Sequence, residues 1–232
     1  MSQTYIKSYF SHEEKILVAV DCIIFGFDEG ELKLLLMKKQ IGSQIGKWSL
    51  IGSFVKENED LDEGAKRVLK ESTGLDDVFM DQLYCYGDVD RVFGDRVLSI
   101  TYYALIRLSN HNLESVKEHG AEWVTFHDRP ELIFDHNDMV ERAIEKIRSK
   151  ARNHAHGFEL LPEKFTIPQV QHFFEEIYQE KFDKRNFRKK ILSQGFLIKL
   201  DEKDKEGSKK GAFLYSFDKL KFKEFKNRKM IF

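Results

Sequence analysis

The sequence predicts an α/β/α sandwich over residues 1–152 and a small C-terminal winged helix-turn-helix domain over residues 162–232, joined by a linker at 153–161. Three observations carry this prediction. β-rich apolar runs recur between residues 16 and 126, with one helical pattern embedded after the third run and another following the last. That order puts helices against both faces of a sheet. Gly52–Leu75 reads as a single block of Gly-led turn, acidic loop, short helix and Gly stop. Charge is also segregated: residues 181–232 hold 17 Lys+Arg against 7 Asp+Glu, whereas the whole chain holds 38 against 39.

Taken in order, residues 1–15 form a polar lead-in. Ile16–Phe27 is a mostly apolar, β-rich run and reads as a buried strand. Asp28-Glu29-Gly30 supplies turn chemistry, and Glu31–Lys38 is the hairpin partner. Gln40–Gly46 is a loop, and Lys47–Ile51 is a short strand that delivers the chain into the Gly52 block. Trp48 in that strand suits either a core or the aromatic wall of a ligand pocket. The helix of the block is predicted over Leu61–Thr73. Asp60 is its N-cap, Glu63 completes a capping box, and Gly74 takes the left-handed position past its end. Strands are expected at Val78–Asp88, Arg96–Leu108 and Glu118–Phe126. A helix at Asn137–Arg152 follows, its core stripe formed by Met139, Val140, Ala143, Ile144 and Ile147.

The C-terminal segment is read the same way. Thr166 caps a helix with Pro168 in its first turn, and Val170, Phe173, Phe174, Ile177 and Tyr178 form one apolar face. Gln179–Phe182 breaks it. Asp183 then caps a second helix over Lys184–Gln194, which turns Phe187 and Ile191 inward and Arg185, Asn186, Lys189, Lys190 and Ser193 outward. Arg188 falls between the two sets. Those outward residue types reach phosphates and base edges. Gly195–Leu200 and Ala212–Phe217 read as a β-ribbon around a tip at 201–211 that carries Lys203, Lys205, Lys209 and Lys210. A basic helix followed by a basic ribbon points to double-stranded DNA.

Composition bounds the remaining classes. A 41% hydrophobic content with 20 Phe supplies real cores and excludes a disordered chain. Cys22 and Cys85 have neither metal-type nor redox-type spacing, which fits free thiols in a reducing cytoplasm. The absence of a long apolar run or a signal-like start predicts a cytoplasmic protein with no membrane partner.

The Gly52–Leu75 block resembles the Nudix box, a loop-helix-loop that binds divalent metal at the diphosphate of a nucleoside-diphosphate derivative. Glu59 matches the loop glutamate of that box, Arg67 its helix arginine, Glu71 one metal-binding glutamate and Gly74-Leu75 its closing pair. The box needs carboxylates at three helix positions spaced i, i+3 and i+4, so that their oxygens converge on one hard cation. Here those positions are Val68, Glu71 and Ser72, and Ser53 replaces a box glycine. One carboxylate cannot replace three in holding a metal and activating water. The expectation is a Nudix fold with no catalytic residues, no metal and no cofactor.

Phe158–Tyr178 and Phe182–Leu192 resemble the C-terminal domain of the Nudix-related, NrtR-type transcriptional regulators; Ile133–Asp138, Arg91 and the stretch 96–106 resemble the same family. The resemblance implies an effector-sensing domain, a winged helix on a palindromic DNA operator, and a homodimer. The chain looks closest to the arabinose-utilisation (AraR-like) branch, which implies L-arabinose as effector. An ADP-ribose sensor of NAD metabolism is the alternative, and a hydrolase of nucleoside-diphosphate derivatives is the other. DNA contacts are carried over onto Lys184, Arg185, Asn186, Arg188 and Lys189, with Lys209 and Lys210 at the wing tip. Effector contacts are assigned to Arg91, Arg96 and Tyr103 and, by position, to Trp48 and Glu71.

Overall fold

The computed structural model describes residues 12–28, 30–40, 44–92, 94–153, 160–205, 211–218 and 220–221. β1 (Leu17–Asp28) and β2 (Glu31–Lys38) form an antiparallel hairpin turned at Gly30, whose φ of 85° is the left-handed conformation glycine supplies. β3 (Trp48–Ser49) pairs with β2, and β4 (Ile51–Phe54) with β1. Helix α1 (Leu61–Thr73) follows, then β5 (Asp81–Tyr86) and β6 (Val97–Arg107). β6 lies parallel to β1 from Leu17↔Val97 to Phe27↔Arg107. A short helix α2 (Leu113–Glu118) precedes β7 (Ala121–Thr125), which pairs with β2, and α3 (His136–Asn153) closes the domain. The sheet path is β3-β2-β1-β6-β5.

Side-chain alternation along β1 explains the layers. Val20, Cys22 and Ile24 pack on Ala65, Val68 and Leu69 of α1 and on Val116 of α2. Ile23, Phe25 and Phe27 pack on the other face against Met139, Ala143, Ile144 and Ile147 of α3. A strand apolar along nearly its whole length, with Asp21 its internal exception, is what a sheet covered on both faces requires.

The C-terminal unit comprises β8 (Phe165–Thr166), α4 (Ile167–Tyr178), α5 (Lys184–Ser193), β9 (Leu197–Asp204) and β10 (Ala212–Phe217), with strand order β8-β10-β9. Thr166 and Gln169 form a capping box on α4, and Asp183 caps α5 by accepting from the Asn186 amide at 2.8 Å. Phe187 and Ile191 are buried, as the helical spacing requires.

The two units share one continuous core. Phe173 stands edge-on to Phe27 at 4.8 Å. Arg148 donates to the Ile177 carbonyl at 2.8 Å, and the Tyr178 hydroxyl donates to the Arg148 carbonyl at 3.1 Å. Arg107 donates to the carbonyls of Leu160 and Leu161.

Several element bounds differ from the sequence expectation. The strand expected at 47–51 divides into β3 and β4, and the one at 78–88 contracts to β5. The segment before β7 is helical, because Asn112 accepts from the amides of Glu114 and Ser115 and caps a turn. The wing strand runs on to Asp204, which shortens the tip. α3 extends through Asn153, and Leu160 and Leu161 are pinned by Arg107, so both ends of the expected linker are held. Residues 154–159, and Lys209 and Lys210 of the tip, lie outside the described residues. Among the described residues no helix is long and apolar enough to cross a membrane.

The turn between α4 and α5 is held by two side chains, Gln171, whose Nε2 donates to the Phe182 carbonyl at 2.9 Å, and Glu175. Glu175 accepts from the Phe182 amide at 3.0 Å and from Gln171 Nε2 at 2.7 Å. Burial pushes the Glu175 carboxyl up, but these bonds and Lys181 outweigh it and hold the carboxyl below its ordinary range. Glu175→Ala leaves the Phe182 amide without its acceptor. The expected loss is about 1–3 kcal/mol, read as a lower urea midpoint at unchanged m value.

Candidate effector cleft and nucleic-acid interface

The Gly52–Leu75 block folds around Arg67. Its guanidinium donates to both oxygens of Glu59, at 2.7 and 2.6 Å, to Glu71 at 2.9 Å and to the Phe54 carbonyl at 3.0 Å. The loop is thereby tied to the helix and to the end of β4. The hydrogen bond from Arg67, then that from the Lys56 amide, hold the Glu59 carboxyl down to about 2. A depressed carboxylate contributes stability above its unfolded value, near 4.5, and that contribution disappears as pH falls towards 2. Arg67→Gln is therefore expected to flatten the stability–pH profile between about pH 5 and pH 2, measured by thermal melting across that window.

The three positions expected to bear metal-binding acids have separate fates. Val68 is 1% exposed and belongs to the core between α1 and the sheet. Glu71 is committed to Arg67, with Lys56 at 3.6 Å, and Ser72 carries no charge. Among the described residues no group of three or more His, Cys, Asp or Glu is placed to hold a metal ion.

Beside the box lies a buried polar cluster that the sequence pattern does not single out. Asp21 accepts from the Ser99 hydroxyl and lies 3.8 Å from His136 Nε2. The Leu50 amide donates to His136 Nδ1 at 3.2 Å, which leaves the ring proton on Nε2, facing Asp21. Burial holds the His136 imidazole below its ordinary value. Gly52 is required here: a Cβ would stand 2.0 Å from Asp21 Oδ1. The available signal was a single aspartate inside an otherwise apolar strand, V-A-V-D-C-I-I-F.

Arg91 is brought to the same end of the sheet. Its side chain is nearly enclosed and grips Asp135 with two bonds of 2.8 and 2.7 Å. The Trp48 carbonyl accepts from the Ile133 amide at 3.0 Å, so Trp48 borders the segment 132–136. Arg96 donates to the Asp88 carbonyl, on the loop that holds Arg91. Trp48, Arg91 and Arg96 thus gather at the end of the sheet that carries the box, with Glu71 beyond β4. Tyr103 does not join them. It faces α3 further along β6, beside Lys150 and opposite Asp81.

On the C-terminal unit, Lys184, Arg185, Asn186, Arg188 and Lys189 are all exposed on α5. Arg188 is oriented by the Tyr215 hydroxyl at 3.3 Å, from the wing. Lys199 and Lys203 of β9 both lie over the Phe213 ring, at 3.6 and 4.6 Å, so the ribbon carries cations of its own beside the helix. Sequence reasoning placed the wing's charge at its tip and missed Lys199, because the Phe213 platform pairs across strands.

Comparison with known proteins supplies the family. Residues 157–217 match the model of the NrtR DNA-binding winged helix domain, and residues 15–143 match that of the NUDIX domain. The chain is 30% identical over 205 residues to the ADPR responsive transcriptional repressor NtrR of Acinetobacter baylyi, spanning 87% of this chain and 82% of that protein. Its structure resembles that of Shewanella oneidensis NrtR complexed with a 27mer DNA, with a TM-score of 0.72, 25% identity, and 92% and 97% of the two chains covered. It also resembles the NUDIX domain of that regulator complexed with ADP ribose, with a TM-score of 0.55 and 25% identity over 63% of this chain and 99% of the other. An N-terminal Nudix domain that keeps one of its three helix acids, docked on a winged helix whose second helix is basic and exposed, gives the match its physical content; the chain belongs to the NrtR-type regulators, in which a Nudix domain is fused to a DNA-binding winged helix.

Proposed function

We propose that this chain is an ADP-ribose-responsive transcriptional repressor whose Nudix domain senses and does not hydrolyse its ligand. The carrying observation is the rearranged box: Val68 lies in the core, Ser72 is neutral and Glu71 is held by Arg67, while α5 stands free for DNA. The effector reading draws on the relative named as ADPR responsive and on the NUDIX domain complexed with ADP ribose. L-arabinose was the first expectation from sequence; neither the arabinose branch nor a pentose effector finds support among the relatives, and the ADP-ribose alternative fits better. Lys184, Arg185, Asn186, Arg188 and Lys189 are the DNA-facing set, joined by Lys199 and Lys203 of the wing. Arg91, Arg96, Trp48 and Glu71 border the effector cleft. The working form is a cytoplasmic homodimer, whose two recognition helices meet half-sites about one helical turn apart.

Calorimetric titration with ADP-ribose and with L-arabinose, alongside assay of AMP release in Mg²⁺, tests this. The expected result is saturable binding of ADP-ribose, a raised melting temperature and no AMP. Binding of arabinose alone would return the chain to the pentose reading. Mg²⁺-dependent AMP release that is lost in Glu71→Gln would make it a hydrolase.

A further inference from the structure

Arg188 is an exposed cation of α5 that the wing takes hold of: its Nη2 donates to the Tyr215 hydroxyl at 3.3 Å. Both ends of that contact are fixed. Tyr215 is 3% exposed and pairs with Phe165 of β8 on one side and Lys199 of β9 on the other. Its ring belongs to the same core as Phe187 and Ile191, which seat α5. Phe187 directly precedes Arg188, so the backbone that carries the guanidinium is held as firmly as the hydroxyl that receives it. The acceptor is neutral, and among the described residues no carboxylate pairs with Arg188. The hydroxyl therefore restrains the planar fork without cancelling its charge.

The wing is shaped around this contact. Phe213 pairs with Lys203 but Tyr215 with Lys199, so two steps along β10 match four along β9. A bulge of this kind bends its strand and re-aims side chains. Phe213 stands two residues before Tyr215, on the same face of β10. Lys199 and Lys203, on either side of the bulge, both lie over the Phe213 ring, at 3.6 and 4.6 Å. A phosphate needs a positive charge within reach, which lysine supplies. A base edge needs two parallel donors in one orientation, which a restrained arginine supplies. Lys199 and Lys203 meet the first requirement and Arg188 the second.

We propose that Tyr215 is a positioning residue for DNA sequence recognition: its hydroxyl holds the Arg188 guanidinium in the orientation that reads a guanine edge in the major groove, with Lys199 and Lys203 on phosphates beside it. The inference rests on the DNA-binding reading and names the residue pair that supplies specificity within it. Two other roles make different predictions. An Arg188 that meets a phosphate contributes charge, and lysine replaces it. A Tyr215 hydroxyl that serves packing alone affects melting and leaves base preference as it was.

The test begins with a duplex selected from a random pool by the parent protein. Anisotropy is then measured for that duplex, its single-base variants and a non-specific duplex of equal length, at several salt concentrations. The proteins are the full chain and its Tyr215→Phe, Arg188→Lys and doubly substituted forms, each with a melting curve. In both single variants the selected duplex should lose about tenfold in affinity relative to the non-specific one, and preference should disappear at the same base pair. The double form should be no weaker than Arg188→Lys alone, because the hydroxyl acts through the arginine. The slope of log affinity against log salt should keep the parent's value, since no charge is removed. Tyr215→Phe with the parent's base preference overturns the proposal, and so does a marked fall in its melting temperature, which assigns the hydroxyl to packing. Arg188→Lys with the parent's base preference makes Arg188 a phosphate contact and also overturns it. Failure of the parent to select any duplex overturns the DNA-binding reading itself.

Discussion

Phe173→Ala is expected to cost about 3–5 kcal/mol, among the largest effects of any single truncation in this chain. Phe173 is fully buried and meets Phe27 of β1 at 4.8 Å and Phe174 of its own helix at 5.6 Å. It therefore fills the core of the winged helix and the seam between the two units at once. Removing it opens a cavity that neither side can close, because both walls are anchored: β1 by β2, β4 and β6, and α4 by its capping box. Chemical denaturation measures the loss. An intermediate should also appear, in which the C-terminal unit has released from the sheet, since the hydrogen bonds of Arg148, Tyr178 and Arg107 are then the main ties across the seam. A loss under about 1 kcal/mol would mean that the seam is not packed as described.

The second large effect is on DNA. Arg185 and Lys189 lie one turn apart on the exposed face of α5, and neither pairs with a carboxylate among the described residues. Replacing both by alanine should weaken binding to a selected duplex by at least about tenfold and reduce the slope of log affinity against log salt by about 0.9 for each phosphate no longer neutralised. Folding should be little changed, because Phe187 and Ile191 carry the packing of this helix. Fluorescence anisotropy at several salt concentrations reads both quantities. A weaker affinity with an unchanged salt slope would mark these residues as base readers.

How far the sequence could be read depended on the range of the interaction. The caps of α1, α4 and α5 were legible, because a capping residue and its partner lie three positions apart and chemistry alone pairs them. The inward faces of α4 and α5 followed from helical spacing for the same reason. The Glu59–Arg67–Glu71 clamp was half legible: the (i, i+4) pair could be read, but the loop that swings Glu59 back onto Arg67 could not. The candidate cleft was mostly closed to sequence reasoning. Arg91 meets Asp135 across 44 positions, and Asp21 meets Ser99 across 78. The assignment of Tyr103 to the effector rests on its place in the family-like stretch 96–106. In the fold it stands four residues along β6 from Ser99, beside the Lys150–Asp81 pair.

The central claim is that ligand bound at the Nudix domain controls DNA bound at α5. Two sites coupled through one structure must alter each other's affinity by the same factor. The seam at Phe27–Phe173 and Arg148–Tyr178 is the physical path available here. The direct measurement is anisotropy of a labelled operator duplex titrated with the full chain, with and without saturating ADP-ribose and without added Mg²⁺. The account predicts that ADP-ribose weakens operator binding by about 5–150-fold, the range of ordinary allosteric coupling, and that L-arabinose leaves it unchanged. Operator affinity unmoved by ADP-ribose, in a protein that binds ADP-ribose by calorimetry, would contradict it.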